Sequence, residues 1–330
     1  MHKTKVLLTG ASGTVGIDIF KELLSRLDIY DIRLFLRGSK KNKKGFKLYS
    51  KKVEIIWGSV ENYEEVKIAM KDQDVVIHTA AVIPSTSHYN PESDYVFTTN
   101  VEGTRNVINA MLLQEKPMKI IYTSSIAIYG DRIKDPNIKI TDPVKISLGH
   151  PYAKSKLAAE QIIIESGMKF IIFRLSYCTS TIMLKFRPVM FDMPLKTSVE
   201  IIDTRDVALA LVNAIEKLEI WDKIFNLGGG KECQIEFGEH LDDMLEIMGF
   251  GRHFFPEEAF SKGDSHCGFY DTREIQELLK FQNHNLSDFY TDVKKWIGFK
   301  RYLVPLVRPI IKWILLRRSK YYKESKLKKK

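Results

Sequence analysis

Cysteine is scarce in this 330-residue chain: Cys178, Cys233 and Cys267 stand far apart and are odd in number. They make neither a disulfide framework nor a Cys-x-x-Cys metal site, and a reducing, cytoplasmic setting is expected. Long apolar runs are lacking too, so nothing reaches the ~20 residues that a helical bilayer span needs. No repeat of solenoid length is visible. The first five residues lead straight into an apolar run, so no leader peptide is expected. Acid is nearly missing from the end of the chain. From Lys300 to Lys330, Glu324 alone opposes twelve Lys and Arg, so this stretch carries +11 of a formal net charge of +10. Residues 1–299 therefore carry −1, a balanced body that excludes a general nucleic-acid-binding face. What is present is 44% hydrophobic, 28% charged and 11% aromatic, which excludes disordered, collagenous and disulfide-scaffold classes.

Short apolar runs alternate with helical periodicity. Strands are expected at Val6–Thr9, Ile32–Leu36, Val53–Trp57, Val75–His78, Lys119–Thr123 and Phe170–Arg174. Helices are expected at Ile17–Leu27, about Asn100–Leu113 and about Tyr152–Glu165. Continuous apolar strands between amphipathic helices predict an α/β fold, a Rossmann-type doubly wound parallel sheet covered on both faces. Such sheets bind ligands at the carboxyl ends of their strands.

Gly10-Ala11-Ser12-Gly13-Thr14-Val15-Gly16 joins the first strand to the first helix. Glycine serves there for a tight turn, for close backbone approach to a pyrophosphate and for helix–strand packing. The helix start adds free N–H groups and the positive end of its dipole. A dinucleotide site is expected at this loop, from Gly10, Ser12, Gly13, Thr14, Val15 and Gly16.

The Gly-x-x-Gly-x-x-Gly spacing resembles the short-chain dehydrogenase/reductase superfamily, in its extended epimerase/dehydratase branch. Four further motifs stand in the family's order over about residues 5–230: Asp74–Ala81, Asn100-Val101-Glu102-Gly103-Thr104, Tyr122–Gly130 with its serines, and Tyr152-Ala153-Lys154-Ser155-Lys156. The resemblance implies a small-residue cofactor wall at Thr79, Ala80 and Ala81. It also implies a structural and proton-relay asparagine at Asn100, and a catalytic set of Ser125, Tyr152 and Lys156. Tyr152 is then the acid/base, Lys156 lowers its pKa and holds the cofactor ribose, and Ser125 orients the carbonyl, with Ser124 as the alternative. The spacing suits that chemistry, because residues four apart on a helix share a face. A nearby ammonium also brings a phenol toward a useful pKa. The bland alternative is an incidental Tyr and Lys on a solvent-facing helix.

Arg37 ends the second strand where an acid would bind a ribose 2′-hydroxyl, and eight cations with no acid fill residues 37–52. NADP(H) is therefore favoured, with NAD(H) open and a merely solvated basic loop as the alternative. On the adenine side Gly58 is followed by Ser59 and Val60, in place of the family's frequent Gly-Asp. Ile126-Ala127 stands where dehydratases of this branch carry Asp-Glu and decarboxylases a Glu, which leaves hydride transfer or epimerisation. The Arg-x-x-Asn of nucleotide-sugar enzymes is missing after Arg174, and Glu200 takes the place of an arginine on the next strand. The expected substrate is a carbonyl or alcohol, sugar or lipid-like. Oxidoreductase, sugar epimerase with bound NAD and a non-catalytic cofactor sensor are the three readings.

The expected layout is 1–178 for the cofactor domain with further elements from 199–230, 179–299 for a small interleaved substrate lobe, and 300–330 for a basic amphipathic tail. Thr179–Leu195, with Met183, Phe186, Met190, Phe191 and Met193, is either a pocket roof or core. His266, Cys267, Tyr270 and Asp271 form a late cluster without metal-ligand spacing, and no metal is expected. Tyr302–Leu316 fits a helix lying in a membrane interface, with Trp313, Tyr321, Tyr322 and the lysines suited to anionic headgroups. Pro305 and Pro309 are expected to leave only Ile310–Arg318 as firm helix. The alternative is packing on the body or on a second subunit, and a homodimer stays open.

Overall fold

β-branched Thr4, Val6 and Thr9 with Leu7 and Leu8 make the first run a strand, β1 (Thr4–Thr9), buried from Val6 onward. The computed structural model describes residues 3–83, 95–147, 150–181, 184 and 186–328. β2 (Tyr30–Leu36), β3 (Glu54–Trp57), β4 (Val75–His78), β5 (Lys119–Ser125), β7 (Lys169–Leu175) and β10 (Lys223–Leu227) complete a parallel sheet in the order β3-β2-β1-β4-β5-β7-β10. The order reverses between β1 and β4, which opens the crevice where doubly wound sheets take ligands. β1 pairs β4 from Val6 opposite Val75 to Thr9 opposite His78, so both strands end level beneath that crevice.

Helices cover both faces. α1 (Thr14–Leu24) and α7 (Thr204–Ala214) bury Ile19, Phe20, Leu23, Leu211 and Val212 against one face. On the other lie α3 (Tyr63–Met70), α5 (Gly103–Leu112) and α6 (Pro151–Glu165), packed on Val76, Ile120 and Ile172. Two expectations change. The basic stretch after Arg37 is the helix α2 (Lys40–Phe46), started by the Ser39 hydroxyl accepting from Asn42 N and anchored by buried Phe46. The helix expected from Asn100 begins earlier, as α4 (Tyr95–Phe97) and a π-turn (Thr98–Glu102) that leads into α5. Such turns often mark functional sites.

The remaining elements form a lobe over the carboxyl edge. β8 (Tyr177–Thr179), β9 (Ser198–Asp203) and β11 (Gln234–Glu236) make a small sheet, and β6 (Asn137–Ile138) pairs with β12 (Phe269–Tyr270). α8 (Phe237–Ile247), α9 (Arg273–Leu279) and α10 (Leu286–Ile297) follow. The lobe core is aromatic: Phe191, Phe237, Phe250, Phe254, Phe255 and Phe260 pack as one cluster. Phe186, Met190 and Met193 pack on it, so these residues of the 179–195 segment belong to that core; Met183 lies outside the described residues.

α11 (Val304–Leu316) and α12 (Lys320–Lys328) end the chain, and the helix runs through both prolines, contrary to the expected break. Pro305 sits in the first turn, where no partner awaits its N–H. Pro309 forfeits one bond, and burial of Leu315 and Leu316 on the phenylalanine cluster offsets that loss. Among the described residues no helix is long and apolar enough to cross a membrane.

Candidate active site

The loop after β1 turns through Gly10 at φ +79°, a conformation that favours glycine. A Cβ there would meet Thr79 Oγ1 and Ala80 N at 2.7 Å, and one on Gly16 would lie 2.1 Å from Gly10 O. Thr79 donates to Thr9 O (2.8 Å), so the Thr79-Ala80 segment backs the loop. His78 lies beneath, bridging Thr9 Oγ1 (2.7 Å) and Thr104 Oγ1 (3.0 Å). Burial drives its pKa down to about 3, so it is a neutral strut. α1 starts at Gly13 with no side-chain cap and no acid in its first turn. Ser12 and Gly13 are exposed, and a Cβ on Gly13 would meet only Gly10 O, at 3.2 Å. These uncapped N–H groups in an open cradle fit a dinucleotide pyrophosphate.

Arg37 is exposed at the end of β2, and its Nη1 donates to Tyr95 Oη (3.2 Å). Asn42 joins this corner to the loop, donating to Arg37 O (2.9 Å) and Ser12 Oγ (3.4 Å). Ser59 N is taken by Glu65 Oε2 (2.8 Å), and Val60 is buried with its side chain beside Gly103. Ser59 is half-buried and its Oγ accepts from Glu61 N (3.4 Å), while Val60 is a core residue. Ala81 is half-buried just past the wall.

Ser125, Tyr152 and Lys156 come together from β5 and α6. Lys156 is buried and donates to Thr123 O (2.7 Å) and Tyr122 Oη (3.2 Å), with its Nζ 5.9 Å from the Tyr152 ring centroid. Burial lowers its pKa to about 7, partly opposed by the Glu160 carboxylate. Tyr152 is half-buried, and desolvation pushes its phenol well above 10, opposed by a hydrogen bond with Ser125. Ser125, which also accepts from Ala127 N (3.2 Å), is thus the serine at the phenol, while the buried Ser124 hydroxyl has no partner among the described residues. Asn100 is buried: its Oδ1 accepts from Val82 N (2.7 Å), and its Nδ2 donates to Val82 O (3.0 Å) and Ser155 Oγ (2.9 Å). It holds the segment after β4 against α6.

Sequence reasoning missed Tyr122, which holds Lys156 and shares the α6 face with Ile120 by strand alternation. It also missed His150, whose Nδ1 caps α6 by accepting from Ala153 N (3.2 Å). The cue was the polar residue directly before Pro151. The His150 ring lies 6.5 Å from Tyr152 and 4.9 Å from His266, so the late cluster does reach the site. Burial lowers the His266 pKa to about 4. Cys267 and Tyr270 are buried lobe residues, and Asp271 pairs at the surface with Arg273. Behind Lys156, Glu160 and Arg174 form a buried two-pronged pair (3.1 and 2.8 Å) that reaches Tyr129 Oη (2.8 Å). The assembled groups can pass a proton at Tyr152 and hold a substrate oxygen at Ser125.

The family model for the 3-beta hydroxysteroid dehydrogenase/isomerase family matches residues 7–181. The chain belongs to this family. A mouse 3 beta-hydroxysteroid dehydrogenase type 7 is 33% identical over 165 residues, 49% of this chain and 44% of that protein. A UDP-glucose 4-epimerase of Rickettsia bellii is 32% identical over 130 residues, 38% of this chain and 37% of that enzyme. This 3-beta hydroxysteroid dehydrogenase/isomerase family chain therefore spans about half or less of the length of these curated relatives. Among solved structures, a UDP-glucuronic acid 4-epimerase of Bacillus cereus, in complex with UDP-glucuronic acid and NAD, superposes at a TM-score of 0.73 with 19% identity. It covers 89% of this chain and 99% of the epimerase. At that identity the likeness speaks for the fold, the extended short-chain dehydrogenase/reductase architecture with its parallel sheet.

Proposed function

We propose that the protein is an NAD(P)(H)-dependent oxidoreductase acting on a carbonyl or secondary alcohol, with Tyr152 as the acid/base. The observation that carries this reading is the convergence of Ser125, Tyr152 and Lys156 on the same carboxyl edge of the parallel sheet as the Gly10–Gly16 cradle. When bound, the nicotinamide supplies or accepts a hydride at the substrate carbon. Ser125 then holds the substrate oxygen, and Tyr152 gives it a proton in reduction or takes one in oxidation. Its raised pKa keeps the phenol protonated in the free protein, the state reduction needs. Lys156, held by Thr123 O and Tyr122, places positive charge near the phenol when protonated. Asn100 is a positioning residue that keeps α6 against the segment after β4.

A lipid-like substrate is favoured over a nucleotide sugar because the Arg-x-x-Asn of nucleotide-sugar enzymes is missing after Arg174, where the chain reads Arg174-Leu175-Ser176-Tyr177. The relatives named 3 beta-hydroxysteroid dehydrogenases point the same way. NADP(H) is the preferred cofactor in this reading, because Arg37 is exposed at the end of β2 and, among the described residues, bonds Tyr95 Oη rather than a carboxylate. The basic 300–330 segment attaches the enzyme to the cytoplasmic face of a membrane. A second reading, sugar epimerisation with retained NAD, is favoured by the match to UDP-glucose 4-epimerase. Co-purified cofactor and no net redox turnover would select it.

The test is Tyr152→Phe in the full chain, assayed by NADPH oxidation against aldehydes, ketones and nucleotide sugars. Turnover is expected to fall by about two to four orders of magnitude, as for other general acids, with cofactor affinity near wild type. An unchanged rate rejects the assignment, and tighter binding of NADH than NADPH rejects the cofactor preference.

A further inference from the structure

Along α11 the side chains divide into two faces. Ile311, Leu315 and Leu316 pack on the phenylalanine cluster of the lobe. On the other face Leu303, Leu306, Val307, Ile310, Trp313 and Ile314 recur at helical spacing and are exposed among the described residues; Leu306 is 78% exposed, Ile310 61% and Trp313 59%. Phe299 and Tyr302, also exposed, extend this stripe toward α10. So long an apolar stripe on the surface marks a contact site. Arg308 and Lys312, within the same helix, do not interrupt it: both cations fold over the Phe254 ring (5.7 and 5.6 Å). Arg317 stacks on Trp313 at 4.6 Å and borders the stripe at its end.

Beside the start of α11 lies a cavity of about 330 Å³, lined by Arg301, Arg308, Tyr302, Gly249, Gly251 and the Glu246 carboxylate among others. The Glu246 Oε2 is held by Arg252 N (3.0 Å). Arg301 stacks on Tyr302 (5.4 Å) as Arg308 does on Phe254. A guanidinium lying over an aromatic ring still has N–H groups to donate, and its fork of donors suits a phosphate.

We propose that α11 docks on an anionic lipid surface, its stripe in the acyl boundary and a lipid headgroup phosphate seated between Arg301 and Arg308. The proposal rests on the reading of the 300–330 segment as a membrane attachment and specifies how it is made. Charge chooses the occupant. The segment carries +11 with Glu324 as its one acid, so two copies meeting through this face would bring like charges together, whereas anionic headgroups neutralise them. The docked helix packs on the same aromatic cluster as Phe186, Met190 and Met193, so the lipid surface adjoins the lobe that caps the catalytic crevice.

The test is sedimentation of the full-length protein with phosphatidylcholine vesicles and with vesicles containing phosphatidylglycerol, at low and high salt. Wild type is expected to bind the anionic vesicles at least ~10-fold tighter, and more weakly at high salt. Leu306→Ser/Ile310→Ser/Trp313→Ser, at exposed positions, should lose attachment while keeping cofactor binding. Arg301→Gln/Arg308→Gln should lose most of the preference for phosphatidylglycerol. Equal attachment of the serine variant overturns the docking face, and an unchanged preference in the glutamine variant overturns the headgroup seat. A wild-type dimer that the serine variant dissolves assigns the stripe to a second copy and overturns the lipid. Wild type that stays with neither vesicle sinks the membrane reading itself.

Discussion

Tyr152 and Lys156 sit one helical turn apart, yet in the free protein the ammonium bonds Thr123 O and Tyr122 rather than the phenol. That the two share a helix face was legible from spacing; that a strand carbonyl and a second tyrosine hold the lysine was not, because partners from another element leave no local pattern. Glu200 is the other residue whose meaning changed. On sequence it was a missing arginine. In the fold it is fully buried, accepting from Gly230 N (3.0 Å), Gln234 Nε2 (3.0 Å) and Tyr270 N (2.7 Å), and so ties three lobe segments together. Burial raises its pKa to about 7. A carboxyl raised above its unfolded value favours the folded state most at acid pH, and that contribution is lost as pH rises from about 4.5 to about 7. The thermal stability of wild type relative to Glu200→Gln is therefore expected to shrink from pH 5 to pH 8, by up to roughly 3 kcal/mol. A constant difference across that range rejects the protonated Glu200.

Elements were legible where periodicity was strong and mis-bounded where a side chain or packing intervened. β4 appears as expected, since four apolar-facing residues between turns leave no other option. α2 was hidden because a lysine-rich stretch has no amphipathic pattern; Phe46 alone anchors it. α11 runs through Pro309 because the lobe holds it. Pro309→Ala should restore one helical bond and raise stability, by about 1–3 kcal/mol in denaturant unfolding. No gain would mean that the helix is already bent to suit the proline. In the glycine loop after β1, Gly16→Ala places a methyl group against the Gly10 carbonyl. Titration by cofactor fluorescence should show affinity reduced by at least ~10-fold, about 1.4 kcal/mol, and wild-type affinity would show that the loop yields.

For the molecule as a whole, binding at the crevice joins the β1 and β4 edges to α6, so a cofactor should stabilise the entire fold. At a hundredfold excess over its dissociation constant that linkage is about 2.7 kcal/mol, a rise of several degrees in thermal midpoint, and NADPH should give the larger rise at equal concentration. No rise with either nucleotide would reject the site. By itself the sequence determined the sheet-and-helix class, the order of its motifs and the position of the surplus charge. Each follows from local spacing and composition, which need no tertiary contact to be read. The tertiary structure decided which serine meets Tyr152, what restrains Lys156, that Glu200 is a buried tie, and which face of α11 stays bare. Those depend on distant segments brought within bonding distance, and only the packed fold sets such distances.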